Sequence, residues 1–155
     1  MVAVHEEKLR GIAYNTFEIT CYMFPLDEWE IEEQGEIKLG DDSITAIVEF
    51  DGAANGAMSI RVNPELLEAI AENMLGMEEA DQELKEGALC EIANIICGNT
   101  VPVFAKGDKI CYIRTPIIID DLELVEDRFT KLQKEKLQIH LDEGSAEITI
   151  YYSTN

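Results

Sequence analysis

The sequence predicts an α+β fold, a mostly antiparallel sheet with long helices packed on it. Three observations lead there. Apolar residues recur at helical spacing in three long segments, and they alternate with polar ones in segments that come in hairpin-like pairs. The order is helix, two or three strands, helix, helix, then three strands, which is the pattern of helices laid on an antiparallel sheet rather than of βαβ units. The 155 residues, 46% of them hydrophobic, suit a single domain spanning 1–155 with a real core.

The first helix is expected from about His5 to Met23, with Leu9, Ile12, Ala13, Thr16, Ile19, Thr20 and Met23 on its inner face. Phe24-Pro25 ends it, because proline cannot continue the hydrogen-bond ladder. Leu26 to Gly40 reads as an acidic, solvated connection that carries Trp29, with a short edge strand near Glu36 to Leu39. Ile44, Ala46, Val48 and Phe50 alternate, as do Met58, Ile60 and Val62, with Asp51-Gly52 and Asn55-Gly56 supplying turn chemistry between them. Asn63-Pro64 opens a helix that Gly76 closes, with Leu66, Leu67, Ile70, Met74 and Leu75 on its apolar face. Asp81 caps the next, which runs to about Gly98. Lys109 to Ile119 is strand-like, bent or at an edge because of Pro116, and Asp120 to Asp127 is a connection. Leu137, Ile139 and Leu141, then Ala146, Ile148, Ile150 and Tyr152, make a terminal hairpin with His140 on its solvent face.

Lys plus Arg number 12 against 32 Asp plus Glu, a formal net charge of −20. Nucleic acid and anionic membranes are unsuitable partners for such a surface, because binding them means neutralising phosphates with cations. A basic protein partner is compatible with it. No run of 18 apolar residues and no secretory leader pattern is read, so no membrane span is expected. Cys21, Cys90, Cys97 and Cys111 have no C-x-x-C spacing and read as reduced thiols of a cytoplasmic protein. His5 and His140 stand far apart and next to no cysteine, so no metal site is expected.

The chemistry concentrates in EGALCEIANIICGN, Glu86 to Asn99. At 100° per residue, Leu84, Ala88, Leu89, Ile92, Ala93, Ile95 and Ile96 fall on one broad face. Glu83, Glu86, Gly87, Cys90, Glu91, Asn94 and Gly98 fall on the other. Gly87, Glu91, Asn94 and Gly98 form one stripe in which the Glu and Asn side chains are neighbours. A glycine inside a helix costs roughly 1 kcal/mol relative to alanine. Either the two glycines let another surface approach the Glu/Asn pair, or Gly98 is a C-cap and Gly87 a tolerated defect. An amide cannot act as a general base, but it donates and accepts hydrogen bonds at once and so can hold a water in line with an electrophile. No nearby serine, histidine or paired carboxylate would support nucleophilic or two-carboxylate hydrolysis. The pair makes sense if a partner supplies the metal and the electrophile.

Glu91-x-x-Asn94 with Gly98-Asn99, the later Thr115-Pro116, the N-terminal NTFE, and the ITAIVEFDGAANGAMSIRVNPE hairpin resemble the CheX/CheC family of chemotaxis phosphatases, CheX more closely. The resemblance implies hydrolysis of the aspartyl phosphate of a CheY-type receiver. Asn94 would orient the attacking water, Glu91 would pair with a receiver lysine, and Gly87, Cys90 and Gly98 would face the partner. Mg²⁺ would be held by the receiver and no cofactor by this chain. The resemblance also implies a homodimer joined through sheet edges. Aligning Cys21 with Cys97 puts Asn15 under Glu91, Glu18 under Asn94, Gly11 under Gly87 and Tyr22 under Gly98. The chain thus reads as a pseudo-repeat of two helix-plus-strands halves whose first site is degenerate, its polar pair reversed. A non-catalytic module that binds a receiver or a flagellar-switch component is the alternative.

Overall fold

The computed structural model describes residues 5–35 and 39–154. Its elements run α1 (Glu6–Cys21), α2 (Glu28–Gln34), β1 (Ile44–Gly52), β2 (Ala54–Val62), α3 (Pro64–Leu75) and α4 (Gln82–Thr100). A 3₁₀ turn (Val101–Phe104) follows, then β3 (Cys111–Ile113), β4 (Ile117–Ile119), α5 (Leu122–Arg128), β5 (Gln133–Leu141) and β6 (Gly144–Thr154). One six-stranded antiparallel sheet has the order β3-β1-β2-β6-β5, with β4 also on β1. The hairpins β1β2 and β5β6 therefore meet second strand to second strand, the layout that a twofold axis through the β2–β6 seam would produce. The α+β architecture read from the sequence is the one observed.

One face of the sheet takes α1, α3 and α4. Leu9, Phe17, Met58, Ile60, Leu66, Leu89, Ile92, Ile96, Ile139 and Ile150 are fully buried there. Ile19 is not part of this core: it is 68% exposed, and Phe17 occupies the inward position instead. The buried stripe of α1 is Leu9, Ala13, Thr16, Phe17 and Cys21, one face at regular helical spacing, and the helix ends at Tyr22 in left-handed conformation. Tyr22 N–H donates to Glu18 O and Met23 N–H to Phe17 O, a helix stop that glycine usually makes.

Two segments read as connections are helices. Asp27 and Glu30 form a reciprocal capping box that starts α2, so the acidic stretch around Trp29 is ordered although Trp29 is 60% exposed. Asp121 accepts from Glu123 N–H to start α5. Val125 and Phe129, one turn apart, anchor it on the opposite face of the sheet against Ile47, Ala57 and Tyr151. The edge strand expected near Glu36 to Leu39 falls on residues 36–38, outside those described. The β1–β2 turn is at Gly52, with φ +112°, and Asn55-Gly56 lies within β2 rather than at a turn. A Cβ on Gly56 would lie 1.8 Å from the Tyr151 carbonyl oxygen, so glycine is required there by close approach of β6.

His140 is a further correction. It is 6% exposed, not solvent-facing. Its N–H donates to Tyr14 Oη and its carbonyl accepts from Leu26 N–H, so α1 and the chain after it cover this edge of β5. Nδ1 is buried and has no partner among the described residues. Burial first, and the nearby Arg10 guanidinium second, hold the imidazole below its ordinary pKa of 6.5. As pH falls through that value the unfolded chain takes up a proton that the folded one resists, so stability falls with pH. The urea midpoint should therefore drop between pH 7 and pH 5.5, and His140→Gln should flatten that drop; an equal slope in the variant refutes the assignment.

By length and composition Gln82–Phe104 could cross a membrane. In this fold it is the central core helix, with Leu89, Ile92 and Ile96 against its neighbours and Glu91 exposed midway.

Candidate functional site

Asp81 starts α4 by accepting from Leu84 N–H at 2.9 Å. The helix then runs past Gly98 to Thr100, so Gly98 is an interior residue and not the stop. Ala88, Leu89, Ile92, Ala93, Ile96 and Cys97 are buried, as the periodicity requires, whereas Leu84 in the first turn is 41% exposed and Ile95 is half-buried. On the other face Glu91 is exposed and Asn94 half-buried. Among the described residues neither side chain makes a hydrogen bond or an ion pair.

Glu91 and Asn94 line one open depression of about 390 Å³ with Gly87, Cys90, Ile113, Arg114, Thr115 and Pro116. The helix forms one wall and the segment between β3 and β4 the other. Of the residues read as facing a partner, Gly87 and Cys90 belong to this depression. Gly98 is exposed one turn further on, where a Cβ would touch Ile113 Cδ1 at an ordinary 3.6 Å. A Cβ on Gly87 would meet nothing within 4 Å. Internal packing therefore requires neither glycine. Burial and then the Glu86 carboxylate push the Cys90 thiol above its ordinary pKa, so it is protonated at neutral pH and is no nucleophile. Among the described residues no three His, Cys, Asp or Glu side chains come together to hold a metal ion.

Arg114, absent from the residues expected at the site, stands in the facing wall; its signal in the sequence is a lone cation in CYIRTPIII, next to Thr115-Pro116.

Asn15 and Glu18 are both exposed on α1, and no residue of α1 lines the depression. Gly11 and Gly87, matched in sequence, are alike, each exposed inside its helix with open space where a Cβ would sit, whereas Tyr22 and Gly98 are not equivalent: Tyr22 caps its helix and Gly98 is inside one. A larger depression, about 620 Å³, lies between α1, α2 and β5. Two of its cations are paired internally, Arg10 with Glu6 and Lys136 with Glu147, and His140, whose Nδ1 has no partner among the described residues, also lines it.

Long helices on one face of an antiparallel sheet, with an exposed Glu-x-x-Asn on the central one, define a CheX/CheC-like fold. A CheX–CheY–BeF3–Mg²⁺ complex from Borrelia burgdorferi contains a chain 18% identical, with TM-score 0.67 over 97% of this chain and 99% of that one. Chemotaxis protein CheX from Vibrio vulnificus is 18% identical with TM-score 0.70 over 97% and 99%. A chemotactic CheC-like protein from Shewanella oneidensis is 15% identical with TM-score 0.65 over 99% and 100%. No curated protein matches in sequence. The sequence profile described as chemotaxis phosphatase CheX matches residues 44–150, which include all of α4 and the β3–β4 segment. The chain belongs to the chemotaxis phosphatase CheX family.

Proposed function

We propose that the chain hydrolyses the aspartyl phosphate of a CheY-type receiver, with Asn94 orienting the attacking water and Glu91 pairing with a receiver lysine. The observation that carries this reading is the side-by-side placement of an unpaired Glu91 and an unpaired Asn94 in one open depression. Two free hydrogen-bonding groups on a rigid helix, flanked by a glycine that packing does not need, suit insertion into another protein's site. The family supports phosphatase chemistry. The Borrelia complex, which contains CheX, CheY, BeF3 and Mg²⁺, supports a receiver as the partner and as the holder of the metal.

In this mechanism the acyl phosphate is already reactive, so fixing a water in line supplies most of the rate gain. Asn94 accepts one water hydrogen with its carbonyl and can donate to a phosphoryl oxygen with its NH₂. Glu91 sets the register of the two proteins by binding the receiver's ammonium group. Asn15 and Glu18 form no second site in this reading. Action in the cytoplasm, on one domain spanning 1–155 that self-associates through sheet edges, belongs to the same proposal. The test is phosphate release from receiver domains encoded by the same genome and charged with a small-molecule phosphodonor, comparing wild type with Asn94→Ala. Binding without release, by wild type, would favour the non-catalytic module.

A further inference from the structure

The edge of the sheet beside the candidate site holds one residue more than its partner strand. Ile113 pairs with Phe50 and Ile117 with Ile47, so Arg114, Thr115 and Pro116 stand opposite only Val48 and Glu49. This is a β-bulge, a device that re-aims a side chain at a sheet edge. Arg114 N–H still donates to Glu49 O at 2.8 Å, and the ladder is intact on both sides. The backbone is therefore pinned while the side chain is turned to the rim of the sheet.

At that rim Arg114 and Thr115 line two depressions at once. One is the depression with Glu91 and Asn94. The other, on the opposite face, is bounded by Glu49, Ile117, Val125 and Arg128. The guanidinium is parked toward the second face, where Nη2 meets Asp51 Oδ2 at 2.7 Å. Both side chains of that pair are substantially exposed, 67% and 41%, so the pair is readily exchanged. Arg114 is also the one cation among the residues lining the Glu91–Asn94 depression, on a chain of net charge −20.

We propose that Arg114 is a partner-binding residue: on docking, its guanidinium leaves Asp51 and takes an oxyanion of the receiver next to the reacting phosphoryl group. This rests on the reading of Glu91 and Asn94 given above. A receiver presenting an acyl phosphate brings negative charge to an already negative surface. Arg114 supplies the compensating fork of donors at the point of contact. Asp51 competes for it in the free protein.

The two partners of the resting pair then have opposite effects. Arg114→Ala should raise KM for the phosphorylated receiver about tenfold, the range of one charge-assisted hydrogen bond, with kcat changed less than about twofold. Arg114→Lys should recover part of that loss. Asp51→Ala should lower KM severalfold by freeing the guanidinium. If Arg114→Ala and Asp51→Ala raise KM alike, the pair is structural and the proposal is overturned; it is equally overturned if neither moves KM. The source of the oxyanion is read from binding. Weakening confined to the phosphorylated receiver assigns the phosphoryl group, and equal weakening of the unphosphorylated form assigns a receiver carboxylate. A wild type that turns over no receiver overturns the phosphatase reading itself. An active wild type with an indifferent Arg114→Ala overturns only this inference.

Discussion

Asn94→Ala will lower kcat for receiver dephosphorylation by about 10²- to 10³-fold, the range for removing one positioned hydrogen-bonding group from a reacting centre. Alanine leaves the water free to rotate out of line, and no second carboxamide lines the depression. The protein will remain folded, because Asn94 is half-buried and bonds to no described side chain. The change in stability should stay within about 0.5 kcal/mol. Asn94→Asp will be no rescue, since a carboxylate there meets the phosphoryl charge. Single-turnover phosphate release at saturating enzyme separates this from weakened docking. Turnover within a few-fold of wild type would remove Asn94 from the mechanism.

Gly56→Ala will destabilise the fold by about 3 kcal/mol or more, the upper range for overpacking a position that cannot relax. The added methyl would lie 1.8 Å from Tyr151 O and 2.8 Å from Tyr151 C, both backbone atoms of the adjacent strand. A side chain could swing away, but a strand held by its ladder on both sides cannot. The contrasting variant is Gly11→Ala, where a Cβ meets nothing within 4 Å inside α1. It should raise stability by about 0.5–1 kcal/mol through helix propensity alone. Urea unfolding measures both, and a Gly56→Ala midpoint close to wild type would show that the β2–β6 spacing yields.

The elements with long periodic signals were legible: α3 between Asn63 and Gly76, α4 behind Asp81, and the β5β6 hairpin all lie where the pattern puts them. The short helices were not. α2 and α5 each span seven residues in acidic sequence, too few for a periodicity to emerge, although the Asp27–Glu30 capping box was present to be read. Asn55-Gly56 carries a local turn signal, and only the tertiary approach of β6 explains its glycine. His140 sits on the polar phase of its strand, and its burial comes from α1 and the Pro25–Leu26 segment crossing the edge, which no local pattern encodes. The Glu91–Asn94 pair followed from helix geometry. The wall facing it did not, because the bulge at Arg114 is a property of register between strands.

The β2–β6 seam also governs how the chain reaches this structure. Each hairpin closes locally, on the order of microseconds for an isolated hairpin. The seam joins Val62 to Ala146 and Ala54 to Thr154, separations of 84 and 100 residues. Loop-closure entropy for such pairs must be met before their contacts return anything, which places this topology among slow, non-local folders. Gly56 lies in that seam, opposite Tyr152. Refolding of Gly56→Ala should therefore be slowed as well as its endpoint destabilised if the seam forms in the rate-limiting step. An unchanged refolding rate with faster unfolding would place zipping of the two hairpins after that step.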